Sequence, residues 1–140
     1  MLTPLEYIDR QRPFQEAYLR HRLGKDLAGL SHDEREKMVI ETVHALIGEA
    51  MEFLDKAVHH RPHRAPGTLN RAAALEELVD MGKYYFNLFL YVGISVEEFD
   101  VAFERKTRVV WQRFQREFPE SRADIPLEYQ QGDAEHGQGT

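Results

Sequence analysis

The sequence contains no cysteine. Disulfides, thiolate metal centres and a cysteine nucleophile are thereby excluded. Long hydrophobic runs are missing too. The longest, Tyr84 to Ile94, is broken by Asn87 and falls well short of the roughly 20 apolar residues that span a bilayer, so no membrane partner is expected. The first residues show no basic segment leading into an apolar one. No signal peptide is read there, and the expected location is cytoplasmic. Positive charge is in deficit: 18 Lys and Arg against 24 Asp and Glu leave a net charge of −6. Non-specific nucleic-acid binding rests on neutralising phosphates, so no nucleic-acid partner is expected of so acidic a chain. A nucleotide ligand stays open, because a bound cation inverts the local sign. Alternating strand patterns are absent, and the only internal repetition is a pair of short acidic motifs.

What is present describes a helical protein. Of the 140 residues, 42% are hydrophobic and 30% charged, the balance of a soluble globular domain. A chain of this length buries about two-thirds of its unfolded surface. Thr3-Pro4-Leu5-Glu6 combines an N-cap, a proline at the first helical position and a glutamate three residues after the cap. A first helix to about Leu23, stopped by Gly24, is expected. Ser31-His-Asp-Glu34 is a second capping box, opening a long helix to about His60. Pro62, Pro66 and Gly67 make 61–70 a loop. Asn70 caps a third helix ending near Val92, with Gly93 beyond it. Ser95-Val-Glu-Glu98 opens a fourth, which runs to Phe118 before Pro119. The expected architecture is all-α, of the four-helix bundle type, over residues 1–125. Residues 126–140, polar and rich in Gly and Gln, are read as a disordered tail.

Two carboxylate pairs dominate the chemistry: Glu49 with Glu52, and Glu77 with Asp80. The i, i+3 spacing sets each pair on one helix face, with Cβ atoms roughly 5–6 Å apart, where like charges repel. Such pairs either sit on a solvated surface or are offset by a cation. On both helices the pair flanks the apolar stripe on the same side, so antiparallel packing lets four carboxylates converge. A di-iron carboxylate centre needs a Glu-x-x-His on each of two helices. Only Glu41 to His44 fits, and it lies upstream without a twin. His59, His60 and His63 around the proline-rich turn are read as a solvated loop cluster more readily than as a metal site.

The two motifs, with His44-Ala-Leu-Ile-Gly-Glu-Ala-Met-Glu52 before the turn and Leu75-Glu-Glu-Leu-Val-Asp-Met-Gly-Lys-Tyr-Tyr-Phe-Asn87 after it, resemble the signature of the all-α nucleoside triphosphate pyrophosphatases. That superfamily includes MazG-like enzymes and dimeric dUTPases. The resemblance runs from about Ser31 to Phe118. It implies Glu49, Glu52, Glu77 and Asp80 as ligands of Mg²⁺, with Mn²⁺ as a substitute. It also implies cleavage between the α- and β-phosphates, giving a nucleoside monophosphate and pyrophosphate. Glu49 and Glu52 carry the catalytic role, with Glu49 as the base that orients the water and Glu76 as an outer partner. The chain lacks the second acidic set of the longer dUTPases and is closer in size to the MazG-like members. The implied activity is hydrolysis of dUTP or a related non-canonical dNTP, that is, nucleotide-pool house-cleaning. A homo-oligomer is expected, dimeric or tetrameric. The alternative is a non-catalytic helical assembly or nucleotide-binding module that keeps the fold.

Substrate contacts are expected from Lys56, Arg61, Arg64, Lys83, Lys106 and Arg113 for the phosphates, unless each simply pairs with nearby carboxylates. His60-Arg-Pro-His-Arg64 resembles a basic turn of some dUTPase-like relatives. Beyond Asp80 the same flank carries Tyr84, Asn87 and Tyr91. Either a base lies there, with Asn87 paired to a uracil edge and Tyr84 or Phe86 walling C5, or a partner subunit covers it. Trp111, at helical spacing with Phe114 and Phe118, reads as core or dimer interface.

Overall fold

A computed structural model describes residues 1–59 and 69–130. Four helices follow one another: α1 (Pro4–Leu23), α2 (His32–Glu52), α3 (Arg71–Val92) and α4 (Val96–Glu117). Short 3-10 turns occupy Pro119–Asp124 and Leu127–Tyr129, and no strand occurs among the described residues. None of these helices is long and apolar enough to cross a membrane.

The helix boundaries follow from side-chain capping. Thr3 and Glu6 form a reciprocal box, with the Thr3 N–H donating to Glu6 Oε2 at 2.7 Å. Ser31 and Glu34 do the same at the start of α2, the Ser31 N–H donating at 2.8 Å. Asn70 Oδ1 accepts the Ala73 N–H at 3.2 Å and opens α3. Gly24 and Gly93 close α1 and α3 at φ 67° and 77°, left-handed values that cost a side-chain-bearing residue energy.

The α-helix expected to run to about His60 ends at Glu52. After Glu52 the backbone widens into a π-helical turn, Phe53–Ala57. The Ala57 carbonyl accepts the Asn70 N–H at 2.7 Å, so it ties the end of this turn to the start of α3.

The chain divides into two compact units, residues 1–95 and 96–140. In the first, α2 runs antiparallel to α3. Arg35, near the start of α2, donates to the Tyr91 carbonyl at 2.9 Å and to the Leu27 carbonyl at 2.7 Å. One guanidinium thus satisfies carbonyls at the end of α3 and in the α1–α2 connection. α1 runs parallel to α3: Tyr7 stacks on Phe86 with centroids 5.3 Å apart, and the Tyr91 hydroxyl donates to Gln15 Oε1. Ile8, Leu19, Leu27, Met38, Phe89, Leu90 and Tyr91 are buried in this unit.

In the second unit Trp111 meets Phe114 edge to face at 5.7 Å and stacks on Tyr129 at 6.4 Å. The Tyr129 hydroxyl donates to Glu104 at 2.9 Å, and Arg108 donates to the Glu128 carbonyl at 2.9 Å. Residues 127–129, expected to begin a disordered tail, are instead a 3-10 turn held on α4 by these bonds. The rest of that expected tail, 131–140, lies outside the described residues.

Candidate active site

Antiparallel packing of α2 on α3 brings the two acidic motifs together. Glu49 and Glu52 lie in the last turn of α2, Glu77 in the second turn of α3, and one carboxylate oxygen from each lies within 4.8 Å of the other two. Among the described residues this is the one cluster of at least three potential metal ligands. Asp80, one turn along α3 from Glu77, is not in that group of three. Its carboxylate is 3.6 Å from Lys83 Nζ, and it shares a cavity lining with Glu49.

Glu77 is the unusual member. It is only 5% exposed, and its Oε2 is buried with no hydrogen-bond partner. A carboxylate so placed is costly unless a cation or donor meets it. Its Oε1 has such a partner in Lys56, whose ammonium is 3.0 Å away and also donates to Glu52. Lys56 stands on the π-helical turn, one turn beyond Glu52. Its hydrogen bonds to Glu52 and Glu77 raise its own proton affinity. Among the described residues Glu49 forms no salt bridge, and Lys56 acts on it only through space. Desolvation, followed by the charges of Glu52, Asp80 and Glu77, raises its pKa above the ordinary carboxylate value.

Beyond the carboxylates lie two cavities that share Phe14, Gln15, Tyr84 and Asn87 in their linings. One, of about 290 Å³, has Glu49, Asp80, Lys83 and Gln11 in its walls. The other, of about 310 Å³, reaches Tyr18, Met38, Glu41, Thr42, Ala45 and Tyr91. Asn87 stands at both. It is 5% exposed, and its Oδ1 is buried without a partner. Among the described residues the unpartnered buried side-chain atoms are therefore one carboxylate oxygen and one amide oxygen.

Phe86, Tyr91 and Glu76 depart from expectation. Phe86 does not wall the Asn87 space: it stacks on Tyr7 and lines a different hollow with Leu78, Val79 and Gly82. Tyr91 is 1% exposed, with its hydroxyl committed to Gln15, so it borders the cavity rather than presenting a free ring. Burial raises its pKa to about 12. Glu76 is exposed, off the cluster. Glu41, the candidate di-iron glutamate, is held by Arg22 at 2.6 Å. Arg61 and Arg64, with His60 and His63, lie outside the described residues. Lys106 and Arg113 are exposed on α4, in the second unit. Sequence reasoning did not find the α1 contribution of Phe14, Gln15 and Tyr18. Their spacing of one and four residues hints at one face, but α1 is only weakly amphipathic.

The donor set suits a hard divalent cation. Three carboxylates offer oxygen ligands within a radius such an ion can bridge, and Mg²⁺ or Mn²⁺ takes oxygen ligands by preference. The unpartnered Glu77 Oε2 is the atom that such an ion would satisfy. Among known proteins, no family model, curated protein or solved structure matches this chain.

Proposed function

We propose that the chain is a Mg²⁺-dependent nucleoside triphosphate pyrophosphohydrolase of the MazG-like or dUTPase-like all-α type, acting on dUTP or a related non-canonical dNTP. The observation that carries this reading is the convergence of Glu49, Glu52 and the buried Glu77, of which Glu49 also lines a cavity shared with Asp80 and Asn87. Glu49, Glu52, Glu77 and Asp80 hold the cation. When bound, Mg²⁺ supplies charge neutralisation and Lewis acidity at the phosphate oxygens.

The chain's own groups do the rest. Glu49, with its proton affinity raised by desolvation and then by its acidic neighbours, accepts the proton of the attacking water. The water oxygen bonds to the α-phosphorus, the bond to the bridging oxygen breaks, and pyrophosphate leaves. Lys83, exposed beside Asp80, meets phosphate oxygens. Asn87 presents its amide to the base, and Tyr84, half-buried in both linings, flanks the ring. The α1 side chains Phe14 and Gln15 form the facing wall of the same cavity. Assembly into at least a dimer belongs to the same reading, supported by the exposed apolar row Ile40, Val43, Ile47, Met51 and Leu54 on α2 and the π-helical turn after it.

The test is pyrophosphate release from a panel of dNTPs with and without Mg²⁺. Metal-dependent release, fastest with dUTP, is expected. No release from any nucleotide, with binding retained, would identify the non-catalytic module instead.

A further inference from the structure

We infer that Lys56 is a built-in placeholder for the divalent cation: its ammonium occupies the carboxylate cluster in the metal-free protein and must leave when metal enters. The inference rests on the metal-site reading above and adds a regulation of that site. Three observations point to it. Lys56 Nζ bonds to Glu52 of α2 and lies 3.0 Å from Glu77 Oε1 of α3, so it spans two of the three clustered carboxylates and both helices. Those two residues are ligand candidates for the cation, and an ammonium on the same carboxylates adds like charge beside it. The lysine is also placed to leave. Its side chain is 52% exposed, against 6% for that of Glu77, and it rides on the π-helical turn that follows α2. Lys83 provides the contrast: among the described residues its ion pair is with Asp80, at 3.6 Å, on its own helix.

The device has a physical rationale. Metal-free, the buried Glu77 would face Glu49 and Glu52 with no counter-charge, a strongly destabilising arrangement. Lys56 offsets part of this repulsion and holds α2 to α3 in the apo state. The cation must then compete with an ammonium tethered to the site, which lowers its apparent affinity. Displacement also frees a positive charge at the rim, where phosphate oxygens arrive.

The experiment titrates Mn²⁺ into wild type, K56M and K83M by calorimetry at low ionic strength. Alongside, mass spectrometry follows acylation of Lys56 by an amine-reactive ester with and without Mg²⁺. K56M is expected to bind Mn²⁺ on the order of tenfold tighter than wild type, the scale of one charge-assisted hydrogen bond removed from the competition. K83M should change the affinity less. In the wild type, Lys56 should acylate more slowly without metal than with it. Acylation reads the full wild-type chain, so the inference stays testable should K56M fold poorly. Equal or weaker Mn²⁺ binding by K56M, or acylation indifferent to metal, would overturn the placeholder while leaving the metal site standing. Absence of Mn²⁺ binding in every variant would overturn both.

Discussion

At the scale of single residues, the site is defined by which polar atoms have partners. Glu49 is the carboxylate whose proton affinity the others raise, through desolvation and then the charges of Glu52, Asp80 and Glu77. Its pKa in the folded chain lies above the ordinary value of 4.5, so folding favours the protonated form, and ionised Glu49 costs stability at neutral pH. Glu49→Gln should therefore raise the melting temperature of the metal-free protein at pH 7, with a smaller gain near pH 4, while abolishing pyrophosphate release. A lower melting temperature in metal-free buffer would contradict the electrostatic account. Asn87 makes a second residue-scale test. Its Oδ1 is buried and unpartnered, the residue lines both cavities, and losing a bidentate contact to a base costs on the order of 1–3 kcal/mol. For Asn87→Ala that means a fall of roughly 5- to 150-fold in kcat/KM on dUTP. An equal loss on dUTP, dCTP and dTTP would make Asn87 a structural residue.

At the scale of elements, the two connections around α2 determine how the acidic motifs meet. Its N-terminus is held by Ser31, Glu34 and Lys25, with Lys25 Nζ 2.8 Å from Glu34. The Lys25 hydrogen bond first, and the Ser31 backbone donor second, lower the Glu34 pKa from 4.5 to about 2. A depressed carboxylate pKa stabilises the fold above the unfolded value and loses that contribution as protons bind. The melting temperature should fall as pH drops from 4.5 toward 2, and Glu34→Gln should flatten that segment of the profile. An unchanged slope in the variant would remove Glu34 from the account. Arg35 offers a complementary test at the same end. Arg35→Met strands the carbonyls of Tyr91 and Leu27 and should cost about 1.5–3 kcal/mol in denaturant unfolding. The far end of α2 was the less legible one. The capping residues announce starts and stops through local hydrogen bonds. The π-helical turn ends instead at Ala57, whose carbonyl accepts the Asn70 N–H, a partner far along the chain.

At the scale of the molecule, a cation bridging α2 and α3 ties two elements together only in the folded state. Mg²⁺ or Mn²⁺ should raise the melting temperature, by about 2.7 kcal/mol of stability at a hundredfold excess over Kd. EDTA should reverse the shift. No shift at millimolar metal, with or without nucleotide, would remove the cluster from consideration as a metal site. The exposed row Ile40, Val43, Ile47, Met51 and Leu54 gives an assembly test. Ile47→Glu should reduce the mass in sedimentation toward that of one chain, 16.4 kDa, and an unaffected oligomer would shift the interface elsewhere.

The sequence by itself determined the all-helical class and the starts of α1, α2 and α3. These depend on local physics: caps that satisfy nearby backbone donors, glycines at left-handed positions, and the 3.6-residue period of side chains around a helix. Tertiary structure alone decided which carboxylates meet. Glu77 is buried and Asp80 half-buried although both belong to one motif. It also decided that Lys56 bridges Glu52 and Glu77, and that Phe14 and Gln15 of α1 wall the space before Asn87. Such contacts join residues up to 76 positions apart, as Tyr91 and Gln15 are. Their formation depends on how whole helices seat against each other, which no local pattern encodes.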